Sequence, residues 1–369
     1  MPAQSMRWGD VLRVEEGNPH MDDTFLSDIH AQPETLRRVC AAYVDGEQAR
    51  TLRAAAAAIR DTGLPVYLTG MGASYFALIA MRALLDKAGI PTMLKDTAYL
   101  LEYGRATLRP GQALIVVSQS GRTGEAVGLM QAIGDHAPLI VVTNDPTTDL
   151  AKRAEYLLPL LAKPDGGVAL KTYTATLTLL MMLAAELREE PAATVARAVL
   201  TGDPMQKAID ASSGRLTELA TFAKTTGYIP LLGRGPSVAS AMAGALLLKE
   251  TAKIAAEGAS AGQFRHGAIE VVARGLLVVL FSPNGNAVSH LNAQLVRQLE
   301  RSGAHVLVIG ASDGTAGPNR LVLDLRVPDE YLAPLFEIVP LQFLSHALAV
   351  QRGIIPGTFV NTTPVVLTR

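Results

Sequence analysis

Short, continuous runs of apolar residues alternate along the chain with Ala-rich stretches of helical pattern. The run Ala113–Val117 has no polar position, as expected for a strand that is buried on both faces of a parallel sheet. Strand and helix patterns alternate up to about residue 187, and again from about residue 229 to residue 352. Such alternation predicts βαβ units and parallel sheets, so we expect an α/β fold.

One pattern occurs twice in the chain. In each copy an apolar run ends in G-x-G-x-S, with Gly72 and Gly235 as the second glycine. A helical stretch, a second apolar run with a polar turn, and a third apolar run then follow. From Gly72 to Ser118 is 46 positions, and from Gly235 to Ser282 is 47. Near-equal spacing predicts a duplicated domain.

Composition narrows the class of protein. The 369 residues are 49% hydrophobic and 18% charged, which is typical of a folded chain with room for two domains. A net charge of −1 without a basic tract gives no sign of nucleic-acid binding. The mean hydropathy of +0.23 raises the question of a membrane span, but the nearest uncharged apolar runs, Thr172–Ala185 and Gly235–Leu248, are too short. A single cysteine, Cys40, excludes an internal disulfide and favours the cytoplasm.

We expect five segments. They are an N-terminal leader with a helical segment (1–44), a first domain (45–190), a helical connector (191–214), a second domain (215–352) and an irregular C-terminal tail (353–369).

A hydroxyl-rich loop follows the apolar run at Ala113–Val117. Residues 118–123 read S-Q-S-G-R-T and lead into a helical pattern that begins near Gly124. Hydroxyls and unpaired N–H groups at a helix N-terminus favour an anion such as a phosphate. Ser and Thr are also ordinary helix caps, which is the alternative. The loop's place at the carboxyl edge of a parallel sheet, where ligands collect, favours the anion site.

These motifs together resemble the sugar isomerase (SIS) domain superfamily. The similarity is closest to the isomerase half of glucosamine-6-phosphate synthase, the SIS-type amino-sugar phosphate deaminases and the fructosamine-6-phosphate deglycases. It covers about residues 21–352 and rests on Gly72-Ala73-Ser74, Ser118–Thr123, Val168-Ala169 and Leu246–Glu250. The resemblance implies two tandem flavodoxin-like SIS domains and one composite site for a hexose 6-phosphate.

The resemblance also implies which residues line that site. The phosphate would contact Ser118, Gln119, Ser120 and Thr123, and the sugar would be bordered by Gly72, Ala73, Ser74, Val168 and Ala169. Arg122 stands where the synthase has an acid, so it is expected either to strengthen anion binding or to reach a carboxylate of the substrate. No cofactor and no metal are expected, because the histidines are scattered along the sequence.

Glu250 and His266 are the candidate acid–base pair. Glu250 lies on a helical pattern that is expected to run to about Glu257, and His266 lies in the glycine-rich loop that follows. A carboxylate and an imidazole suit enolisation next to a carbonyl. From the residues alone, Glu250 could equally be a surface partner of Lys253, and His266 a loop histidine bonded to backbone. The resemblance makes Glu250 the acid/base at C1–C2 and has the neighbouring subunit supply His266, which implies a homodimer with shared active sites.

The expected tail lacks one feature of the synthase and the deaminases. They carry a lysine there that forms a Schiff base with the open-chain sugar, whereas no lysine follows Lys253 in this sequence. Ala243 also replaces an acidic residue, and no glutaminase domain is recognised. These departures favour a deglycase of a fructosamine 6-phosphate. The alternatives are an amino-sugar-phosphate deaminase, an aldose–ketose phosphosugar isomerase, and a non-catalytic sugar-phosphate sensor.

Overall fold

Two separate five-stranded sheets form the framework of the chain. The computed structural model describes residues 24–136, 138–223, 227–283, 285, 287–310, 316–363 and 365–367. The expected leader over residues 1–20 lies outside these ranges, as do three positions of the expected tail.

The first sheet is preceded by three helices. They are α1 (Thr24–His30), α2 (Gln32–Val44) and α3 (Ala49–Asp61). The sheet and its helices are, in chain order, β1 (Val66–Gly70), α4 (Gly72–Lys87), β2 (Thr92–Asp96), α5 (Thr97–Tyr99), β3 (Leu114–Val117), α6 (Gly124–Ile133), β4 (Leu139–Thr143), α7 (Asp149–Lys152), β5 (Tyr156–Pro159) and α8 (Lys171–Leu187). A π-helical turn (Leu100–Gly104) and a 3₁₀ turn (Arg105–Thr107) follow α5.

Three helices connect this unit to the second sheet. They are α9 (Ala192–Leu200), α10 (Pro204–Ser213) and α11 (Leu216–Phe222). The second unit contains β6 (Tyr228–Gly233), α12 (Ser237–Ala252), β7 (Ala255–Ser260), α13 (Ala261–Phe264), a 3₁₀ turn (Ala268–Val271), β8 (Leu277–Phe281), α14 (Ser289–Arg301), β9 (His305–Ile309), β10 (Arg320–Leu323) and α15 (Ala333–Gln351).

Both sheets have the same strand order. The first runs β2-β1-β3-β4-β5 and the second β7-β6-β8-β9-β10, and every strand pair is parallel. By position in the chain both are 2-1-3-4-5, the flavodoxin-like order. The expected α/β fold with two tandem flavodoxin-like units is thereby confirmed.

The repeat extends to single backbone angles. Gly72 has a φ of +52° and Gly235 a φ of +54°, so both occupy the left-handed region that glycine tolerates best. Each follows the first strand of its unit by two residues. The shared G-x-G pattern therefore encodes the same sharp turn from strand to helix in both units.

One helix is shorter than the sequence suggested. The helical pattern was expected to reach Glu257, but α12 ends at Ala252, and Lys253 adopts a left-handed φ of +55°. Ala255–Ser260 instead forms β7, an edge strand that pairs with β6. Alanine, glycine and glutamate favour strands poorly, so pairing with β6 decides this segment rather than local preference.

A continuous hydrophobic core joins the two units. One cluster contains residues of the first unit, such as Leu68 and Leu78, together with residues of the second, such as Leu231 and Leu248. Helix α4 packs against α12, and α12 packs against α15. Among the described helices, α15 alone is long and apolar enough to span a bilayer, but 89% of that stretch is buried, as in a core helix.

Candidate functional site

The loop between β3 and α6 is folded back on itself. Ser118 Oγ and Thr123 Oγ1 lie 3.1 Å apart, and Gly121 N donates to the Ser118 carbonyl at 3.0 Å. Thr123 precedes the first residue of α6, but its side chain makes no capping hydrogen bond. The alternative that Thr123 is an ordinary helix cap is therefore not what the structure has, and its role in phosphate binding stays a prediction.

Neighbouring segments hold this loop in place. The Gln119 carbonyl accepts hydrogen bonds from Asn144 N at 2.9 Å and from Thr143 Oγ1 at 3.3 Å. Gly121 has a φ of +65°, and a Cβ there would lie 2.4 Å from Thr148 Oγ1. Only glycine fits here without displacing Thr148, so the close packing of the loop requires this glycine.

Arg122 already has a partner in its own unit. Its Nη2 lies 2.7 Å from Asp145 Oδ2, and both side chains are partly open to solvent. Hydrogen bonds from Thr147, and then from Arg122, hold the pKa of Asp145 below its usual value. An exposed pair of this kind is weak, so Arg122 would have to leave Asp145 to contact a substrate.

The other predicted sugar contacts lie on two segments. Gly72, Ala73 and Ser74 form the first turn of α4, and a Cβ on Gly72 would lie 3.8 Å from Leu246 Cδ2 of α12. Val168 is buried and Ala169 half-buried in the segment before α8. The start of α4 is therefore in contact with the helix that carries Glu250.

The C-terminal tail connects the two halves of the candidate site. Lys253 Nζ, at the end of α12, donates to the Thr358 carbonyl at 2.6 Å and also to the Glu250 carbonyl. Further along, the Val366 carbonyl accepts from Gly124 N, the first amide of α6, at 3.0 Å. The tail thus touches both the end of the helix with Glu250 and the helix that follows the hydroxyl loop.

Glu250 is half-buried, and no described residue bonds to its carboxyl group. Leu246, which approaches Gly72, lies one helical turn before it on the same face of α12. Burial raises the pKa of Glu250 to about 7, although the charges of Lys253 and Lys249 oppose the rise. The structure does not have the alternative of a surface pair with Lys253, because Glu250 is half-buried and its carboxyl makes no ion pair with a described residue. A carboxyl with a pKa near neutrality suits acid–base catalysis.

His266 is exposed and has no side-chain hydrogen bond within the described chain. It follows α13, its backbone N–H donates to the Gln263 carbonyl at 2.9 Å, and its side chain is exposed. Its ring makes no hydrogen bond or ion pair with Glu250 or with any other described residue. Within the described chain, the two candidate catalytic residues are therefore not bonded to each other.

A buried ion cluster next to the site was not foreseen. The Lys171 ammonium is 5% exposed and pairs with Asp28 and, at 3.5 Å, with Asp165. Asp28 Oδ2 also accepts from Gly166 N at 2.7 Å. Burial raises the pKa of Asp165. The cluster fixes the segment before Val168 against α1. Nothing local in the sequence reveals it, because Asp28 and Lys171 lie 143 positions apart.

Known proteins share both the sequence pattern and the fold. The SIS domain model matches residues 59–186 and 225–352. The chain is 27% identical over 368 residues to the isomerizing glutamine–fructose-6-phosphate aminotransferase of Thermococcus kodakarensis, covering 95% of this chain and 58% of that protein. The chain thus spans about three fifths of the length of this curated relative.

Solved structures extend the comparison over nearly whole chains. A candidate phosphosugar isomerase from Silicibacter pomeroyi superposes with a TM-score of 0.77 at 25% identity, covering 90% of this chain and 99% of that one. Tagatose-6-phosphate ketose/aldose isomerase from Escherichia coli, at 20% identity, gives a TM-score of 0.77 over 91% and 96% of the two chains. The latter shows likeness of fold only.

The duplicated flavodoxin-like fold and the hydroxyl loop define a protein with two SIS domains in tandem. The family model covers more than half of the sequence, and the chain belongs to the SIS domain family. The resemblance drawn from the sequence motifs is confirmed, and the relatives agree with the expected class of phosphosugar isomerases and related enzymes.

Proposed function

We propose that this chain is an enzyme that acts by acid–base chemistry at C1–C2 of a hexose 6-phosphate. Our preferred reaction is the deglycation of a fructosamine 6-phosphate. The observation that carries the proposal is Glu250, a half-buried carboxyl without a bonding partner and with a pKa of about 7. It lies on the helix that contacts the first turn of α4, where the strand order of the first sheet reverses.

The proposed reaction uses one binding loop and two catalytic residues. The loop Ser118–Thr123 binds the 6-phosphate and so fixes the reactive end of the sugar. Glu250, as the carboxylate, removes a proton from C1 of the ketoamine to give an enaminol. Protonation at C2 then gives an imine at C1, water adds to it, and the amine leaves with a proton from His266. The products are a hexose 6-phosphate and a free amine.

The tail supports this choice of substrate. Its described part touches α6 and the end of α12, yet it carries no lysine. A substrate that already carries nitrogen at C1 reaches the imine without a protein amine. Arginine, as at position 369, stays protonated and cannot take that role.

The second candidate is an aldose–ketose isomerase or an amino-sugar-phosphate deaminase working through the same two residues. The aminotransferase relative, whose name includes an isomerising step, favours this alternative. A sugar-phosphate sensor would bind the ligand and turn over none of these substrates.

We further propose that the enzyme is a cytoplasmic homodimer with shared sites. His266 is exposed, and its ring is unbonded within the described chain. In the proposed dimer, each site would take Glu250 from one subunit and His266 from the other.

Replacing Glu250 tests the proposal directly. Purified protein should release hexose 6-phosphate and free amine from a fructosamine 6-phosphate. Glu250→Gln should lower kcat by about 10²-fold or more, because the general base is lost, while ligand affinity persists. Turnover is followed by amine release and binding by calorimetry.

Glu47→Gln, an exposed position, is the matched control and should match the wild type. Unchanged turnover in Glu250→Gln would show that the mechanism is wrong. Interconversion of fructose and glucose 6-phosphates without amine release would favour the isomerase.

A further inference from the structure

The second sheet has its own point where the strand order reverses, between β6 and β8. Arg234 follows β6 directly, at the position that Met71 occupies after β1. Ser282 follows β8, as Ser118 follows β3. Ligands of open α/β sheets collect at such points, outside the carboxyl ends of the strands. The duplication therefore repeats the geometry of the hydroxyl loop's surroundings, with an arginine added.

Buried polar side chains hold Arg234 in position. Its Nε donates to Asn292 Oδ1 at 3.0 Å, and Asn292 Nδ2 donates to Ser282 Oγ at 3.1 Å. Asn292 is 1% exposed and Ser282 6% exposed. Because Ser282 Oγ accepts from Asn292, its own proton remains available to a ligand. The bond from Nε thus orients Arg234, and its two terminal nitrogens remain available to a ligand.

No carboxylate neutralises this cation. Within the described ranges, neither Arg234 nor Arg265 lies within 4.0 Å of an Asp or Glu oxygen. A Cβ on Gly262 would lie 3.3 Å from Arg234 Nη1, so the segment leading to Arg265 runs against this guanidinium. Burial, and then the charge of Arg265, lower the pKa of Arg234. A half-buried cation close to a second cation is unfavourable unless an anion joins them.

We propose that this second switch point binds a phosphate monoester of a small molecule. The terminal nitrogens of Arg234 and the guanidinium of Arg265 pair with the phosphate oxygens, and the Ser282 hydroxyl donates a further hydrogen bond. Arginine suits this task because its planar fork matches two phosphate oxygens at once. The inference goes beyond the proposed function, since it concerns the opposite unit from the Ser118–Thr123 loop. Arg265 directly precedes His266, so a ligand here would also order the segment that carries the candidate catalytic histidine.

The test counts binding sites by calorimetry with inorganic phosphate and with fructose 6-phosphate, without turnover. The wild type should bind two equivalents per chain. The double variant Ser118→Ala, Thr123→Val should keep one, and adding Arg234→Met should weaken that remaining site by about tenfold or more. Arg274→Met, which removes an exposed arginine of the same unit, is the matched control and should leave it unchanged.

A second variant distinguishes a loss of binding from misfolding. Arg265→Met removes the exposed cation and leaves the Arg234–Asn292 bond intact, so it should weaken the same site. The proposal is overturned if the wild type binds a single equivalent per chain that the double variant abolishes. It is also overturned if the remaining equivalent is insensitive to both arginine substitutions. Because only binding is measured, neither result depends on the deglycase reaction.

Discussion

At the scale of single residues, burial rather than pairing decides the chemistry of this chain. Glu250 and Glu337 both have a pKa raised to about 7, and burial is the main cause at both. They differ in their contacts. Glu337 receives hydrogen bonds from Ser237 and Ser240, whereas the carboxyl of Glu250 has no described partner. Glu337 therefore suits a structural role, and Glu250 suits a catalytic one.

The pKa of Glu250 predicts the pH dependence of turnover. If its carboxylate is the base, kcat/KM should fall below about pH 7, as the group becomes protonated. The charge of Lys253 lowers the pKa of Glu250, so Lys253→Gln should raise that pKa and move the acid limb to higher pH. The measurement is a pH–rate profile, with Lys207→Gln as the exposed control. If the acid limb does not move, Lys253 does not influence the pKa of the catalytic carboxyl.

Glu337 predicts how stability depends on pH. Its folded pKa of about 7 exceeds the ordinary value of 4.5, so folding favours the protonated form. This stabilising contribution is complete below pH 4.5 and is lost as the pH rises through 7, a change on the order of 3 kcal/mol. Glu337→Gln removes the charge and keeps a hydrogen-bonding side chain. It should raise the free energy of unfolding in urea at pH 8 and flatten its change between pH 5 and pH 8. A less stable variant at pH 8 would contradict this account.

At the scale of elements, the β3–α6 loop shows how far local sequence goes. Its hydroxyls, its glycine and its place after a buried strand all follow from the order of residues. The contacts that hold it come from Thr143, at the end of the next strand, and from Asn144 and Thr148, which follow that strand. The residues of the loop can thus be recognised from the local sequence, whereas its shape depends on contacts with distant segments.

Gly121→Ala should disturb this loop. An added Cβ would meet Thr148 Oγ1 at 2.4 Å in a backbone conformation that alanine avoids, which costs about 1–3 kcal/mol. We expect a lower Tm and weaker binding of fructose 6-phosphate. Gly134→Ala is the matched control, because Gly134 has a φ of +63° but nothing within 4 Å. Equal effects of the two substitutions would mean that the backbone angle alone matters.

The elements recognised from sequence are those whose burial pattern is local. The inner strands β1, β3, β4, β6, β8 and β9 are the apolar runs of the two copies of the repeat and were expected. The edge strand β7 differs from the expectation of a helix end near Glu257 followed by a loop, because its residues prefer no strand and only pairing with β6 makes one. Strands β2, β5 and β10 were not foreseen either, and each also lies at the edge of its sheet.

At the scale of the whole molecule, the contact between the two units assembles the proposed site. The common core and the packing of α4 against α12 bring Glu250 of one unit towards the first turn of α4 in the other. The tail adds a second link, from Lys253 through Thr358 to Gly124. The proposed site exists only because the repeat is assembled in this way.

Mixed dimers test whether active sites are shared. Chains with Glu250→Gln and chains with His266→Ala should each be inactive. If each site takes Glu250 from one subunit and His266 from the other, a mixed dimer has one complete site. Random exchange should then restore about a quarter of the wild-type activity. The assay is amine release after unfolding and refolding the two variants together, with each variant refolded alone as the control. No recovery would place both residues in one chain or exclude the dimer.

The sequence by itself determined the duplicated α/β architecture, the turn glycines and the hydroxyl loop, because runs of apolar residues and residue spacing are local properties of a chain. Only the tertiary structure decided that Ala255–Ser260 is a strand, that Arg122 pairs with Asp145, and that Glu250 has a pKa near neutrality. Each of these depends on which distant segments exclude water or supply a hydrogen bond, and that is settled only when the two units pack together.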